Sequence, residues 1–203
     1  MQLEQIILGI PVLLLAISIH EFAHGYAAHK LGDPTPASQG RLTLNPLAHL
    51  DPLGALMLLV FRFGWARPVL VNPMYFRNRQ RGMVFVAVAG PLANLLLAWV
   101  FYVCLAFVLP LVPMFAGHAA VQLFCLTGVQ LNLGLAAFNL LPVPPLDGSK
   151  ILGGMLPSRY AHHYQRYAQY GPLVLILLLM TGTAQMVLSP IYLVLLRIIT
   201  VFG

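Results

Sequence analysis

His20-Glu21-Phe22-Ala23-His24 lies inside an apolar run, Ile6 to Ala28, that otherwise reads as a membrane-spanning helix. Histidines four apart sit on one helical face, one turn apart, so both imidazoles can reach a single metal ion. The glutamate beside the first histidine can then address a water bound to that metal. Ionisable groups at bilayer depth are costly, so such a cluster is a functional site by default. The competing reading is a polar cluster that only packs helices.

Around this stretch the composition is that of a polytopic membrane protein. Of 203 residues, 60% are hydrophobic and 8% charged, and the mean hydropathy is +0.85. Soluble domains carry roughly 25% charged residues. The expectation is one unit, residues 1–203, with no linker, low-complexity tract or solenoid repeat. The first run has no basic n-region and no small-residue cleavage site, and it carries the two histidines, so it reads as a retained span rather than a leader. Cys104 and Cys125 fall in apolar spans without metal-binding spacing and read as small buried hydrophobes.

A formal charge of +6 does not imply nucleic acid here, because the cations are segregated. Lys30, Arg41, Arg62, Arg67, Arg77, Arg79 and Arg81 form one group and Lys150, Arg159 and Arg166 another, leaving Arg197 apart. These are short loops beside apolar spans, where basic residues mark the cytoplasmic side. The partner implied is the lipid bilayer with its anionic headgroups, and the N-terminus is expected outside.

Along the chain, span one runs from about Gln5 to Leu31. Gly32-Asp33-Pro34 stops it. Ala37 to Leu44 alternates like a short strand, and Asn45 to Leu50 reads as a turn. Asp51-Pro52 opens a helix as cap and first residue. Leu53 to Phe63 is too short to cross and reads as re-entrant or interfacial. Pro68 to Val71 is a second candidate edge strand. Span two is expected over about Gly82 to Leu109, with Gly90-Pro91-Leu92-Ala93-Asn94 inside it. Span three follows over about Ala120 to Leu141. Pro142, Pro144 and Pro145 then forbid a helix, and Ser149 to Leu156 begins another. Arg159 to Gln169 is polar and cytoplasmic. Span four leaves from about Gly171, with Ser189-Pro190 breaking it, and Pro190 to Phe202 is open to returning through the membrane, lying on it or extending one long tilted helix. The fold class expected is an all-α integral membrane protein, a polytopic helical bundle with a short β element on the cytoplasmic side.

Catalytic zinc takes three protein ligands and keeps one position open. His20 and His24 supply two, and the chain has only five acids. Glu4 lies at the outer end of span one, and Asp33 and Asp51 flank turns. Asp147 follows an extended, membrane-proximal stretch on the same side as the histidines, and topology favours it as the third ligand; a turn or helix cap before Gly148 is its other reading. His49 and Asp51 suggest an ancillary site or, for Asp51, helix capping. His29, His118, His162 and His163 read as interfacial or loop residues, and Asn94 as packing.

His20-Glu21-Phe22-Ala23-His24, the zinc-hydrolase HExxH pattern, occurs together with Asn139-Leu140-Leu141-Pro142-Val143-Pro144-Pro145-Leu146-Asp147-Gly148. The pair resembles the site-2 protease family of intramembrane zinc metalloproteases, whose second motif is NxxPxPxxDG. Gly90 to Asn94 also looks like a family element, and the resemblance covers about residues 6–155. It implies one zinc ion per chain on His20, His24 and Asp147. It implies Glu21 as general base and then proton donor, and Asn139 as a hydrogen-bonding residue for substrate or tetrahedral intermediate, an interhelical bond being its other reading. Implied substrates are transmembrane proteins or peptides, unwound locally before cleavage, and a prokaryotic inner membrane suits so compact a core. No PDZ or nucleotide-sensing domain is visible. Two other functions use the same residues: a membrane metal-ion transporter, and an inactive relative that only binds membrane proteins. Transporters usually show inverted repeats, and a mere binding module has no use for Glu21.

Overall fold

The computed structural model of the chain describes residues 3–61, 64–112 and 119–201. Helix α1, Leu3–Lys30, carries the histidine stretch and accommodates Pro11. It closes on a left-handed glycine, Gly32 at φ 100°. There the Gly32 N–H bonds the His29 carbonyl and the Asp33 N–H the Ala28 carbonyl, the Schellman arrangement that satisfies a helix's last acceptors.

The loops after α1 are not a sheet. Among the described residues there is no strand, only an isolated antiparallel bridge between Leu50 and Ala66. The expected β element is therefore corrected: residues 35–38 form a helical turn, α2 (Thr35–Ser38), and 41–44 and 68–71 are irregular. Side chains do the work of a neighbouring strand. The buried Arg41 guanidinium donates to the carbonyls of Ala48, Arg67 and Pro68. Buried Asp33 accepts from the Thr35 and Asn72 N–H groups at 2.9 and 2.7 Å. Helix α3 (Pro46–His49) is capped by Asn45, and α4 (Pro52–Phe61) by Asp51, which accepts from the Gly54 N–H at 2.8 Å.

Helix α5, Arg79–Val103, is capped by Asn78 and continues through a π turn, Cys104–Val108, into α6, Leu109–Leu111. Helix α7 is Ala119–Asn139. Then follow α8 (Asp147–Met155), α9 (Ser158–Ala168), α10 (Gly171–Met180) and α11 (Thr183–Val201). Among the described residues four stretches are long and apolar enough to cross a membrane: Ile7–Lys30, Arg79–Leu111, Ala119–Asn139 and Thr183–Val201. His118 and Arg62 lie outside the described residues.

Span four differs from expectation. Helix α10 is too short to cross, the chain turns at Gly182 with φ 71°, and α11 runs unbroken through Pro190. Leu188 and Ile191 pack on Leu141, Leu146 and Leu175 as well as on the larger cluster that holds Phe101, Leu109 and Cys125, whereas Leu195 and Ile199 belong to that larger cluster alone. Helix α11 therefore starts at the end of the bundle holding Leu141 and finishes at the end holding Leu109.

Lipid tails are as apolar as leucine, so burying apolar side chains between membrane helices gains little, and close backbone approach and interhelical hydrogen bonds hold the bundle. A Cβ on Gly128 would lie 2.4 Å from the Phe101 ring, which sets how near α5 and α7 come. Ala28, Phe76 and Val86 close the end where α1 finishes and α5 begins.

Candidate metal centre

His20 and His24 project from α1, and Asp147 is the first residue of α8. The Pro142–Pro145 stretch carries the chain from α7 to that point without helix. Gly148 then lets α8 start against the end of α7, since a Cβ there would meet the Leu140 carbonyl oxygen at 2.2 Å. All three side chains are buried. His20 Nε2 and His24 Nε2 are 3.0 Å apart, and each lies 3.1 or 3.0 Å from Asp147 Oδ2. The three donor atoms form a nearly equilateral triangle. Bonds of 2.0–2.1 Å in tetrahedral zinc sites give edges of about 3.3 Å, so the set has the size for one ion, and among the described residues it is the one group of three such side chains placed to hold a metal.

The chemistry of the donors fits as well as their spacing. His20 Nδ1 lies 2.6 Å from Asn94 Oδ1, and His24 Nδ1 lies 2.7 Å from the Val86 carbonyl. Asn94 is oriented by its own amide, which donates to the Ala16 carbonyl and to Asn132 Oδ1. Asn132 in turn donates to the Gly128 carbonyl. Both imidazoles therefore meet acceptors from behind and carry their protons on Nδ1, with both Nε2 lone pairs facing the carboxylate. Three acceptors converge with no donor between them, an arrangement a cation relieves. Such outer partners fix ring orientation and raise ligand basicity.

The second Asp147 oxygen, Oδ1, accepts from the Lys150 ammonium at 3.0 Å. Burial disfavours the charged Asp147 carboxylate, and the Lys150 ammonium beside it favours it. Gly90 seals the other side. A Cβ there would lie 2.4 Å from His24 Nε2 and 2.7 Å from His20 Cε1, so α5 touches the ring edges.

Glu21 is half-buried, and its Oε2 accepts from the Val69 N–H at 2.9 Å. The segment Arg41 holds in place thus reaches the carboxylate beside the donor triangle. Asn139 stands apart: it donates to the Leu135 carbonyl of its own helix and bonds to none of the other four residues. His49 is fully buried with Nε2 on the Thr43 carbonyl, and His29 is exposed. Cys104 and Cys125 are free thiols with sulfurs 3.8 Å apart. Sequence reading missed the orienting position of Asn94, the Val86 carbonyl, and Lys150. The available signal was the four-residue spacing of Gly90 and Asn94, which puts both on one face of α5.

The family model described as Peptidase family M50 matches residues 111–181. "Putative zinc metalloprotease YwhC" of Bacillus subtilis is 41% identical over 180 residues, covering 88% of this chain and 82% of that protein. "Putative zinc metalloprotease Rip2" of Mycolicibacterium smegmatis is 33% identical over 86% of the chain and 67% of its own length. "Putative zinc metalloprotease MJ0611" of Methanocaldococcus jannaschii is 32% identical over 70% and 71%. No solved structure matches the chain. With four membrane-length helices and relatives covered over most of their length, the chain belongs to peptidase family M50, the site-2 protease family of membrane zinc metalloproteases.

Proposed function

We propose that this protease hydrolyses peptide bonds within or near transmembrane segments of other membrane proteins, with one zinc ion per chain on His20, His24 and Asp147. The observation that supports it is the triangle of donor atoms 3.0–3.1 Å apart, with both imidazole tautomers set from behind. Zinc, when bound, supplies Lewis acidity that brings the pKa of water to about 7 and polarises a carbonyl oxygen. Asn94 and Val86 keep the His20 and His24 protons on Nδ1, away from the ion. Glu21 is the general base. The Val69 N–H pins Oε2, and Oε1, which has no hydrogen bond among the described residues, takes a proton and delivers it to the leaving amine nitrogen.

Asn139 presents a side-chain oxygen at the end of α7 for a substrate N–H. Substrate helices unwind locally before cleavage, because a helical peptide carbonyl is hydrogen-bonded and crowded. Residues 68–71 flank Glu21, and an extended substrate lies along them; deleting Pro68 to Val71 should abolish processing and leave zinc bound. The end of the bundle bearing Lys30, Arg79, Lys150 and Arg166 faces the cytoplasm, in a prokaryotic inner membrane.

The test compares purified wild type with Glu21→Gln and Asp147→Ala for bound zinc and for cleavage of a model transmembrane substrate. Glu21→Gln should keep zinc and lose cleavage, and Asp147→Ala should lose both. Cleavage by Glu21→Gln at the wild-type rate overturns the mechanism.

A further inference from the structure

At the loop end of the bundle, joined to the donor triangle through Lys150, α5, α8 and α9 surround a cavity of about 680 Å³, within the roughly 300–1,000 Å³ of small-molecule sites. Its lining carries two cations, Arg79 and Lys150, and no carboxylate. Arg79 is exposed and has no hydrogen bond or ion pair among the described residues. Lys150 spends one bond on Asp147 Oδ1 and has donors to spare. Most of the remaining wall is apolar, with Met83 and Pro144 on one side and Ala161 and Ala168 on another.

Helix α9 sets the depth of the cavity. Ala161, Tyr164 and Ala168 line it, at the spacing of one helical face. Tyr160 and Tyr167 are 50% and 68% exposed, and Arg159 and Arg166 are also exposed. Tyrosine and arginine on the outer face of an amphipathic helix belong at the headgroup level. Arg79 opens a membrane-length helix at the same end.

We propose that this cavity is a binding site for an anionic phospholipid, with the phosphate oxygens accepting hydrogen bonds from Arg79 and Lys150 and the glycerol end of the acyl chains resting on the apolar wall. Basic pockets between membrane helices on the cytoplasmic side take such headgroups. The apolar lining selects a lipid over a bare anion. The ligand reaches Lys150, whose ammonium also holds a metal-binding carboxylate, so lipid composition and the metal centre share one residue.

The test uses the full-length protein in phosphatidylcholine vesicles doped with phosphatidylglycerol, reading retained phosphatidylglycerol by mass spectrometry after gentle extraction. Arg79→Gln should weaken retention about ten-fold, the scale of one lost charge-assisted hydrogen bond. Arg77→Gln, an exposed cation outside the cavity, should not. Ala168→Trp fills the cavity without altering charge and should lose the lipid too. Equal losses in Arg77→Gln and Arg79→Gln, or full retention in Ala168→Trp, overturn the proposal in favour of diffuse surface charge. Displacement of the lipid by equimolar inorganic phosphate overturns it in favour of a bare anion site.

Discussion

Asn94 shows how far the candidate metal centre extends beyond its donors. Its amide joins α5 to α1 and α7, accepting from His20 and donating to Ala16 and Asn132. Asn94→Ala removes the acceptor that fixes the His20 tautomer, and losses at such positions are about 10- to 100-fold in metal affinity. Chelator competition on purified protein should read that drop. Gly90→Ala should cost more, because its Cβ meets His24 Nε2 at 2.4 Å, while Gly134→Ala, with nothing within 4 Å, should bind zinc like wild type. The histidine pair was legible in the sequence because helical periodicity alone brings residues four apart together. The position of Asn94 was not, because it depends on which faces of three helices meet.

Among the elements, the loops were the least legible. Alternation over 37–44 and the apolar run 68–71 have the look of strands, yet Arg41 alone satisfies carbonyls at Ala48, Arg67 and Pro68. A buried side chain with a planar fork of donors can replace a strand's edge, and no periodicity reports that. Arg41→Ala should leave zinc content unchanged and free the segment carrying Val69. Faster amide exchange at Val69 checks it, and Arg41→Lys should not restore protection, because an ammonium lacks the fork. Helix α11 makes the same point in reverse. Pro190 is the stronger breaker on paper, but a membrane helix tolerates proline where neighbours serve the freed carbonyl. The chain turns instead at Gly182, where φ is 71°, a conformation open to glycine at no steric cost.

For the molecule as a whole, the order of the four spans was legible from hydropathy, and the side on which the chain finishes was not, because that turned on the break at Gly182. With α11 crossing fully, Val201 lies at the same end as Leu3 and opposite Lys30 and Asp147. Single cysteines placed near Gln5 and Val201 should both label with an impermeant maleimide from outside intact cells, and one near Arg166 should not. Labelling of the pair on opposite sides sinks the topology. The donor set is also divided along the chain, with His24 and Asp147 separated by 123 positions. Polypeptides leave the ribosome N-terminus first, so during synthesis the first span waits in the bilayer with two imidazoles and no carboxylate partner. With the ligand set proposed above, metal capture would wait until the third span has been threaded and α8 has emerged behind it. On the function proposed above, a nascent copy would be inert toward its half-inserted neighbours, and the timing of its own birth would act as its safety catch.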